Sequence, residues 1–331
     1  MSDTNKTVLV TGAAGFVGSA VAARLATMGH KVVGCDNFND YYDPRLKHDR
    51  VEAILAPAGV ECLTVELADN AQVVALFDQV KPDLVVHLAA QAGVRYSLKN
   101  PAAYVQSNLV AFGHMLEACR SHKVEHLLYA SSSSVYGGNA KVPFSEDDVT
   151  DAPVSLYAAT KKANELMAHS YSHLYRLPAT GLRFFTVYGP WGRPDMAYFS
   201  FTQKLLKGDT IPVFAEGQLR RDFTYIDDIV EGVVRLLFKP RPDEGEPPHW
   251  VFNIGNNQPV KVVDFIQTLE KVLEVKAKLD FQPMQPGDVE ATHADTSKLQ
   301  NWVGYKPSTS LEAGLTQFRE WYNRWSTIRP A

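Results

Sequence analysis

The chain has 331 residues, 45% hydrophobic and 21% charged, the balance of a soluble globular fold, and its length predicts two lobes. A formal net charge of −4 gives no electrostatic case for nucleic acid, and the basic pair Arg220–Arg221 is too short for a binding patch. No run of about 18 apolar residues is present to cross a membrane, and Met1 to Lys6 is polar with no apolar signal core. Cys35, Cys62 and Cys119 are odd in number and lack metal-ligand spacing. They predict buried small hydrophobes, no metal site and a reducing, cytoplasmic setting.

Short β-rich runs alternate with helical patterns from the N-terminus onward. Val8 to Val10 precedes Gly12, and Lys31 to Cys35 precedes Asp36. Val60 to Val65, Asp83 to Val86, His126 to Tyr129 and Ala179 to Phe185 follow. These runs are continuously apolar, as parallel strands covered on both faces require. Amphipathic stretches lie between them, among them Ala71–Val80, Ala102–Arg120 and Leu156–Tyr175. The pattern predicts an α/β, Rossmann-type doubly wound parallel sheet over residues 1–190. After about residue 190 the rhythm breaks at Pro190, Pro194 and Pro212, in the loop Ala215–Arg221 and in Lys239–Pro248. A helix at Asp227–Phe238, a strand at Val251–Ile254 and a helix at Val262–Leu273 come next. Residues 191–331 read as a smaller C-terminal α/β substrate lobe, with part of 225–255 packing back on the first lobe. Phe318, Trp321, Tyr322 and Trp325 fall at helical spacing and read as helix core.

Thr11 to Gly18 sits directly after a strand and opens a helix. Gly12 can supply a tight turn, Gly15 a close backbone approach to a pyrophosphate, and Gly18 close packing of helix on strand. Free N–H groups at the helix start, around Phe16 and Val17, then face the anion. The next strand ends in Asp36, roughly 20 residues past the loop, where a carboxylate accepts from the adenosine ribose hydroxyls. The same charge repels a 2′-phosphate, which predicts NAD over NADP.

Tyr157 and Lys161 are four apart on the stretch Leu156–Tyr175, hence on one helical face. A free phenol, with a pKa near ~10, is a poor base at neutral pH. The Lys161 ammonium and a positive nicotinamide ring are expected to favour tyrosinate by about 4 kcal/mol. Ser131 to Ser134 follow the strand His126–Tyr129, at the sheet end where ligands of open α/β folds bind. A serine there can hold a reacting oxygen against Tyr157. His87, ending a strand, reads as a packed core histidine.

With these residues in place, the chain resembles the extended short-chain dehydrogenase/reductase family in its nucleotide-sugar epimerase branch. The matching positions are the glycine loop with its GxxGxxG spacing, Asp36, His87 to Ala90, Asn108, Ser132, Tyr157, Lys161 and Arg221-Asp222. Asp36 to Asp43, Gln91 to Ser97 and Arg183 to Ala197 are most similar to the members acting on UDP-glucuronate. The resemblance implies a tightly held NAD that is recycled, a UDP-sugar in the cleft, and a homodimer paired through Ala102–Arg120 and Leu156–Tyr175. It implies Ser132, Tyr157 and Lys161 as catalytic. It assigns the cofactor to Gly12, Gly15, Phe16, Val17, Gly18, Asp36, Asn37, Glu66, Leu67, Leu88, Ala89, Ala90, Asn108 and Phe184, with Tyr157 and Lys161. Either Glu66 or Asp69 holds adenine.

On the substrate side the resemblance implies Arg95, Ser132, Ser133, Thr186, Arg193, Val213, Phe214, Arg221 and Asp288. Phe214 flanks uracil and Arg221, with Asp288, fixes the nucleotide, because Gln285 stands where galactose epimerases have an arginine. Relatives that dehydrate or decarboxylate carry an acid after the catalytic hydroxyl residue, where this chain has Ser133 and Ser134. The expected reaction is oxidation at the sugar C4, rotation of the 4-keto sugar and reduction on its other face. Ser133 and Thr186 would grip the carboxylate and Arg193 would pair with it at the cleft mouth. The alternatives are a UDP-sugar decarboxylase or 4,6-dehydratase, and a silent NAD-binding regulator.

Overall fold

A computed structural model describes residues 5–284 and 290–328. In chain order its strands are β1 (Thr7–Thr11), β2 (Lys31–Asp36), β3 (Glu61–Thr64), β4 (Leu84–His87), β5 (His126–Ser132) and β6 (Ala179–Phe184). They continue as β7 (Thr186–Tyr188), β8 (Thr210–Phe214), β9 (Arg220–Tyr225), β10 (His249–Ile254), β11 (Pro259–Lys261) and β12 (Lys278–Gln282). Seven form one parallel sheet in the order β10-β6-β5-β4-β1-β2-β3. The order reverses between β1 and β4, which opens a crevice at their carboxyl ends.

Both faces of this sheet are buried, and strand alternation divides the side chains between them. Val8 and Val10 join one apolar cluster with Val21 and Leu25 of helix Phe16–Thr27 and Ile229 and Val233 of helix Ile226–Leu237. Leu9 between them points the other way, into a cluster with Leu76, Phe112, Met115 and Ala168. That second layer consists of helices Asn70–Val80, Ala111–Ser121 and Leu156–Tyr175.

β10 pairs in parallel with β6 at the sheet edge, and helix Ile226–Leu237 covers the same face as helix Phe16–Thr27. The remaining strands form two smaller sheets. β9 lies between β7 and β11, β12 pairs with β8, and helices Ala197–Lys207, Val262–Leu273 and Leu311–Ile328 pack around them. Phe318, Trp321 and Tyr322 are buried in this core.

Three expectations need correction. The loop read over Ala215–Arg221 ends early, because Arg220 and Arg221 open β9, whose sequence Arg-Arg-Asp-Phe-Thr-Tyr has no continuous apolar run. The strand read as His126–Tyr129 continues to Ser132, carrying two serines on the sheet itself. The helix read over Ala102–Arg120 begins at Pro101 behind an Asn100 cap and widens to π-helical turns over Val105–Val110. Asn108 lies in that wider stretch, its carbonyl accepting from Asn164 Nδ2 at 2.6 Å.

Candidate active site

A cavity of about 910 Å³ lies over the carboxyl ends of β1, β4 and β5 and runs on between the sheet and the smaller lobe. Its inner end is the glycine loop. Gly12 has φ +68°, and a Cβ there would meet Ala89 N at 2.8 Å. A Cβ on Gly18 would come within 2.0 Å of Gly12 O, so this glycine seats the helix start on the loop's own carbonyl, more than on a strand as expected. Gly15 begins helix Phe16–Thr27 with no side-chain cap, leaving the first N–H groups towards the cavity. A short cradle and an uncapped twelve-residue helix fit a pyrophosphate.

Asp36 ends β2 in the cavity wall, its Oδ1 accepting from Phe38 N at 2.9 Å. The Lys47 ammonium lies 3.7 Å from it, also buried, and donates to Asn39 Oδ1 at 3.0 Å. Burial presses the Lys47 pKa down while the Asp36 charge pulls it up. Asn37 Nδ2 donates to Glu66 Oε2 at 2.9 Å, and both line the cavity. Asp69 instead caps helix Asn70–Val80, accepting from Ala71 N at 2.9 Å. Of the two acids, Glu66 lines the cavity and Asp69 does not. Leu67, Leu88, Ala89, Ala90 and Phe184 complete this part of the wall.

The reactive end is set by β5 and the helix beside it. Ser155 caps helix Leu156–Tyr175 by accepting from Ala158 N at 3.1 Å, which starts the helix one residue before Tyr157. One turn later Lys161 Nζ donates to Ala130 O of β5 at 2.8 Å. One further turn on, Glu165 accepts from Ser131 Oγ at 2.7 Å and takes both arms of the Arg183 guanidinium at 2.8 Å. This buried pair fixes the height of the helix against β5 and β6. Ser132 and Tyr157 line the same cavity, and the Ser132 Oγ meets Ser134 Oγ at 3.1 Å.

Burial pushes the Tyr157 phenol above its usual pKa, while the Ser132 hydrogen bond and the Arg193 charge pull it down. Lys161 was expected to be the neighbouring cation that favours tyrosinate. Its ammonium is directed at Ala130 O, and burial brings its own pKa down to about 8. The Arg193 charge also bears on the phenol and lowers its pKa. His87 is packed as expected, Nδ1 meeting Thr11 Oγ1 at 2.8 Å, and burial lowers its pKa to about 3.

At the mouth, Arg193 pairs through two nitrogens with Asp195, at 3.0 and 2.7 Å. Tyr41 donates to Asp195 Oδ2 at 3.1 Å from across the cleft. Arg95, Ser133, Thr186, Phe214 and Arg221 also line the cavity.

Two expected residues stand elsewhere. Asn108 is buried behind the wall, where it accepts from Gln91 N at 2.8 Å and donates to Gln91 O and Thr160 Oγ1. Val213 turns into the core between Pro212 and Phe214, both of which face the cavity, as alternation along β8 requires. Asp288 and Gln285 lie outside the described residues. Tyr41, Lys47 and Asp195 were not singled out as site residues, although Tyr41 and Asp195 stand within the similar stretches.

A parallel sheet with a dinucleotide cradle at its switch point and a Ser-Tyr-Lys set at the end of β5 defines a Rossmann-type enzyme acting on a hydroxyl. The model of the NAD dependent epimerase/dehydratase family matches residues 8–255. UDP-glucuronate 4-epimerase 3 of Arabidopsis thaliana is 52% identical over 327 residues, 95% of this chain and 76% of that protein. Probable UDP-glucuronate 4-epimerase of Rhizobium meliloti (strain 1021) is 47% identical over 329 residues, 96% of each. The crystal structure of UDP-glucuronic acid 4-epimerase from Bacillus cereus, in complex with UDP-glucuronic acid and NAD, aligns with a TM-score of 0.87. It is 34% identical, covering 96% of this chain and 99% of that one. This chain belongs to the NAD dependent epimerase/dehydratase family.

Proposed function

We propose that this protein interconverts UDP-glucuronate and UDP-galacturonate by epimerisation at the sugar C4. The observation that carries the reading is Tyr157 lining one cavity with Ser132, Lys161 and Arg193, where Ser133 and Ser134 follow the catalytic hydroxyl residue at the place dehydrating relatives have an acid. The relatives at about half identity carry that activity in their names.

The glycine loop with Phe16 and Val17 would hold the pyrophosphate of NAD, Asp36 and Asn37 the ribose, and Glu66 with Leu67 the adenine side. Ala89, Ala90, Lys161 and Phe184 would bound the nicotinamide end. NAD, when bound, supplies a hydride acceptor that gives back what it takes. Tyr157 takes the proton of the C4 hydroxyl and returns it after the sugar has turned over. Ser132 hydrogen-bonds the same oxygen in both orientations. Phe214 flanks the uracil and Arg221 pairs with the diphosphate, so the nucleotide stays anchored while the ring rotates.

The 4-keto uronate is a β-keto acid and loses carbon dioxide when its carboxylate bond aligns with the carbonyl π system. Ser133 and Thr186 offer neutral donors that keep the carboxylate near the ketone plane, and Arg193 balances its charge. Arg193 must share itself between Asp195 and the substrate to do so.

Purified protein incubated with UDP-glucuronate and no added NAD separates the readings. UDP-galacturonate is expected. A UDP-pentose with carbon dioxide would make the protein a decarboxylase, and no change would make it a silent binder. A homodimer is also proposed, through helices Ala111–Ser121 and Leu156–Tyr175, the second of which presents Leu166 and Leu174 to solvent. Light scattering that gives a monomer mass would refute it. The reduced cysteines, and the lack among the described residues of a helix long and apolar enough to cross a membrane, support a cytoplasmic site of action.

A further inference from the structure

Arg50 is fully buried, and it stands on neither the dinucleotide loop nor the smaller lobe. Its Nε donates to Trp191 O at 2.9 Å, and its Nη2 to Trp191 O at 2.7 Å and Gly192 O at 3.2 Å. Its Nη1 donates to Ala14 O of the glycine loop at 3.0 Å and to the Tyr42 hydroxyl at 2.7 Å. Each of the guanidinium's N–H groups therefore has an acceptor. One rigid planar group ties the cofactor cradle to the two residues that precede Arg193. Trp191 has φ +65°, a left-handed backbone that a tryptophan adopts only when held. Gly192 is seated so closely that a Cβ would overlap the Tyr198 hydroxyl at 1.5 Å. Nine residues before Arg50, Tyr41 grips Asp195, which in turn grips Arg193.

We propose that Arg50 and Tyr41 are positioning residues for uronate recognition, which set from the cofactor side the place of Arg193 at the cleft mouth. The inference rests on the functional reading above. It adds that selectivity for a C5 carboxylate depends on a segment that need not touch the sugar. A lysine at position 50 keeps the charge but offers three donors on a flexible stem, so it cannot hold Ala14, Trp191 and Gly192 together. Phenylalanine at position 41 leaves Asp195 to compete with the substrate carboxylate for Arg193.

The test compares Arg50→Lys and Tyr41→Phe with the wild type, each loaded with NAD, by calorimetric titration with UDP, UDP-glucose and UDP-glucuronate. The wild type is expected to prefer UDP-glucuronate over UDP-glucose. Both variants should lose roughly tenfold in that preference, the worth of one charge-assisted hydrogen bond. Their affinity for UDP alone should change by less than about threefold, within the neutral surroundings of such a contact. In turnover, KM for UDP-glucuronate should rise more than kcat falls. Equal weakening of all three ligands would show a merely structural role and overturn the inference, as would an unchanged preference in both variants. If Arg50→Lys does not fold, Tyr41→Phe decides alone, since it removes one hydroxyl. A wild type without preference for the uronate overturns the functional reading itself, and the inference with it.

Discussion

The floor of the cleft and its mouth are built by different means. On the floor, Ser132, Tyr157 and Lys161 sit on one strand and one adjoining helix, and strand register with helix spacing fixes them. Glu165 ties this helix to β5 through Ser131 and to β6 through Arg183 in the dry interior. At the mouth, Arg193 and Asp195 ride on a loop and are steadied by Tyr41 and Arg50 from far along the chain, 154 residues for Tyr41–Asp195 and 141 for Arg50–Trp191. A reactive proton needs rigid placement, whereas discrimination between sugars can be set by groups that close around the ligand. The contrast predicts that changes on the floor cost turnover or stability, and that changes at the mouth alter which sugar is handled and what becomes of it.

Tyr157→Phe gives the largest effect. It should lower kcat by about 10³-fold or more, the contribution of a positioned general acid/base, while UDP titrates with unchanged affinity. A variant that kept a tenth of wild-type turnover would break the assignment of the floor. Glu165→Gln is next. It leaves the Arg183 guanidinium short of its counter-charge inside the protein, and urea unfolding should report a loss of about 3–5 kcal/mol. A loss below 1 kcal/mol would mean that the pair does not clamp the floor.

Lys161→Met trades stability against activity. Burial holds the Lys161 pKa down at about 8 in the fold, against an ordinary 10.5. The unfolded chain therefore binds more protons between these values, and the wild type gains stability as the pH rises through that window. The penalty is full below about pH 8 and amounts to about 3 kcal/mol at most. Lys161→Met should thus match or exceed the wild-type Tm at pH 7, lose that advantage towards pH 10.5, and turn over far more slowly. A variant destabilised equally at every pH would contradict the buried-ammonium argument. The smallest effect belongs to Thr186→Val at the mouth. Epimerisation should continue with a trace of UDP-pentose and carbon dioxide, and a product stream free of pentose would remove Thr186 from the grip on the carboxylate.

The same contrast explains what the sequence made legible. The parallel sheet could be read because both-face burial writes continuous apolar runs, and Tyr157 with Lys161 because helical neighbours are four residues apart. β11 and β12 go unread because they carry no such run, and β8 because Pro212 stands in the middle of its apolar run. Asn108 was misplaced because a residue type at a family position does not say which way its side chain points. Here its amide is used up on Gln91 and Thr160. Val213 was grouped with Phe214, although neighbours on a strand face opposite sides. Tyr41, Lys47, Asp195 and Arg50 meet through tertiary contacts that no local spacing records.

The central claim, that hydrogen leaves C4 and returns to C4 within one closed site, is tested most directly with UDP-glucuronate carrying deuterium at C4. Incubated with the purified protein in ordinary water, it should yield UDP-galacturonate that keeps the deuterium at C4, as read by mass and proton spectra. Epimerised product that has exchanged its deuterium for solvent hydrogen would contradict the account.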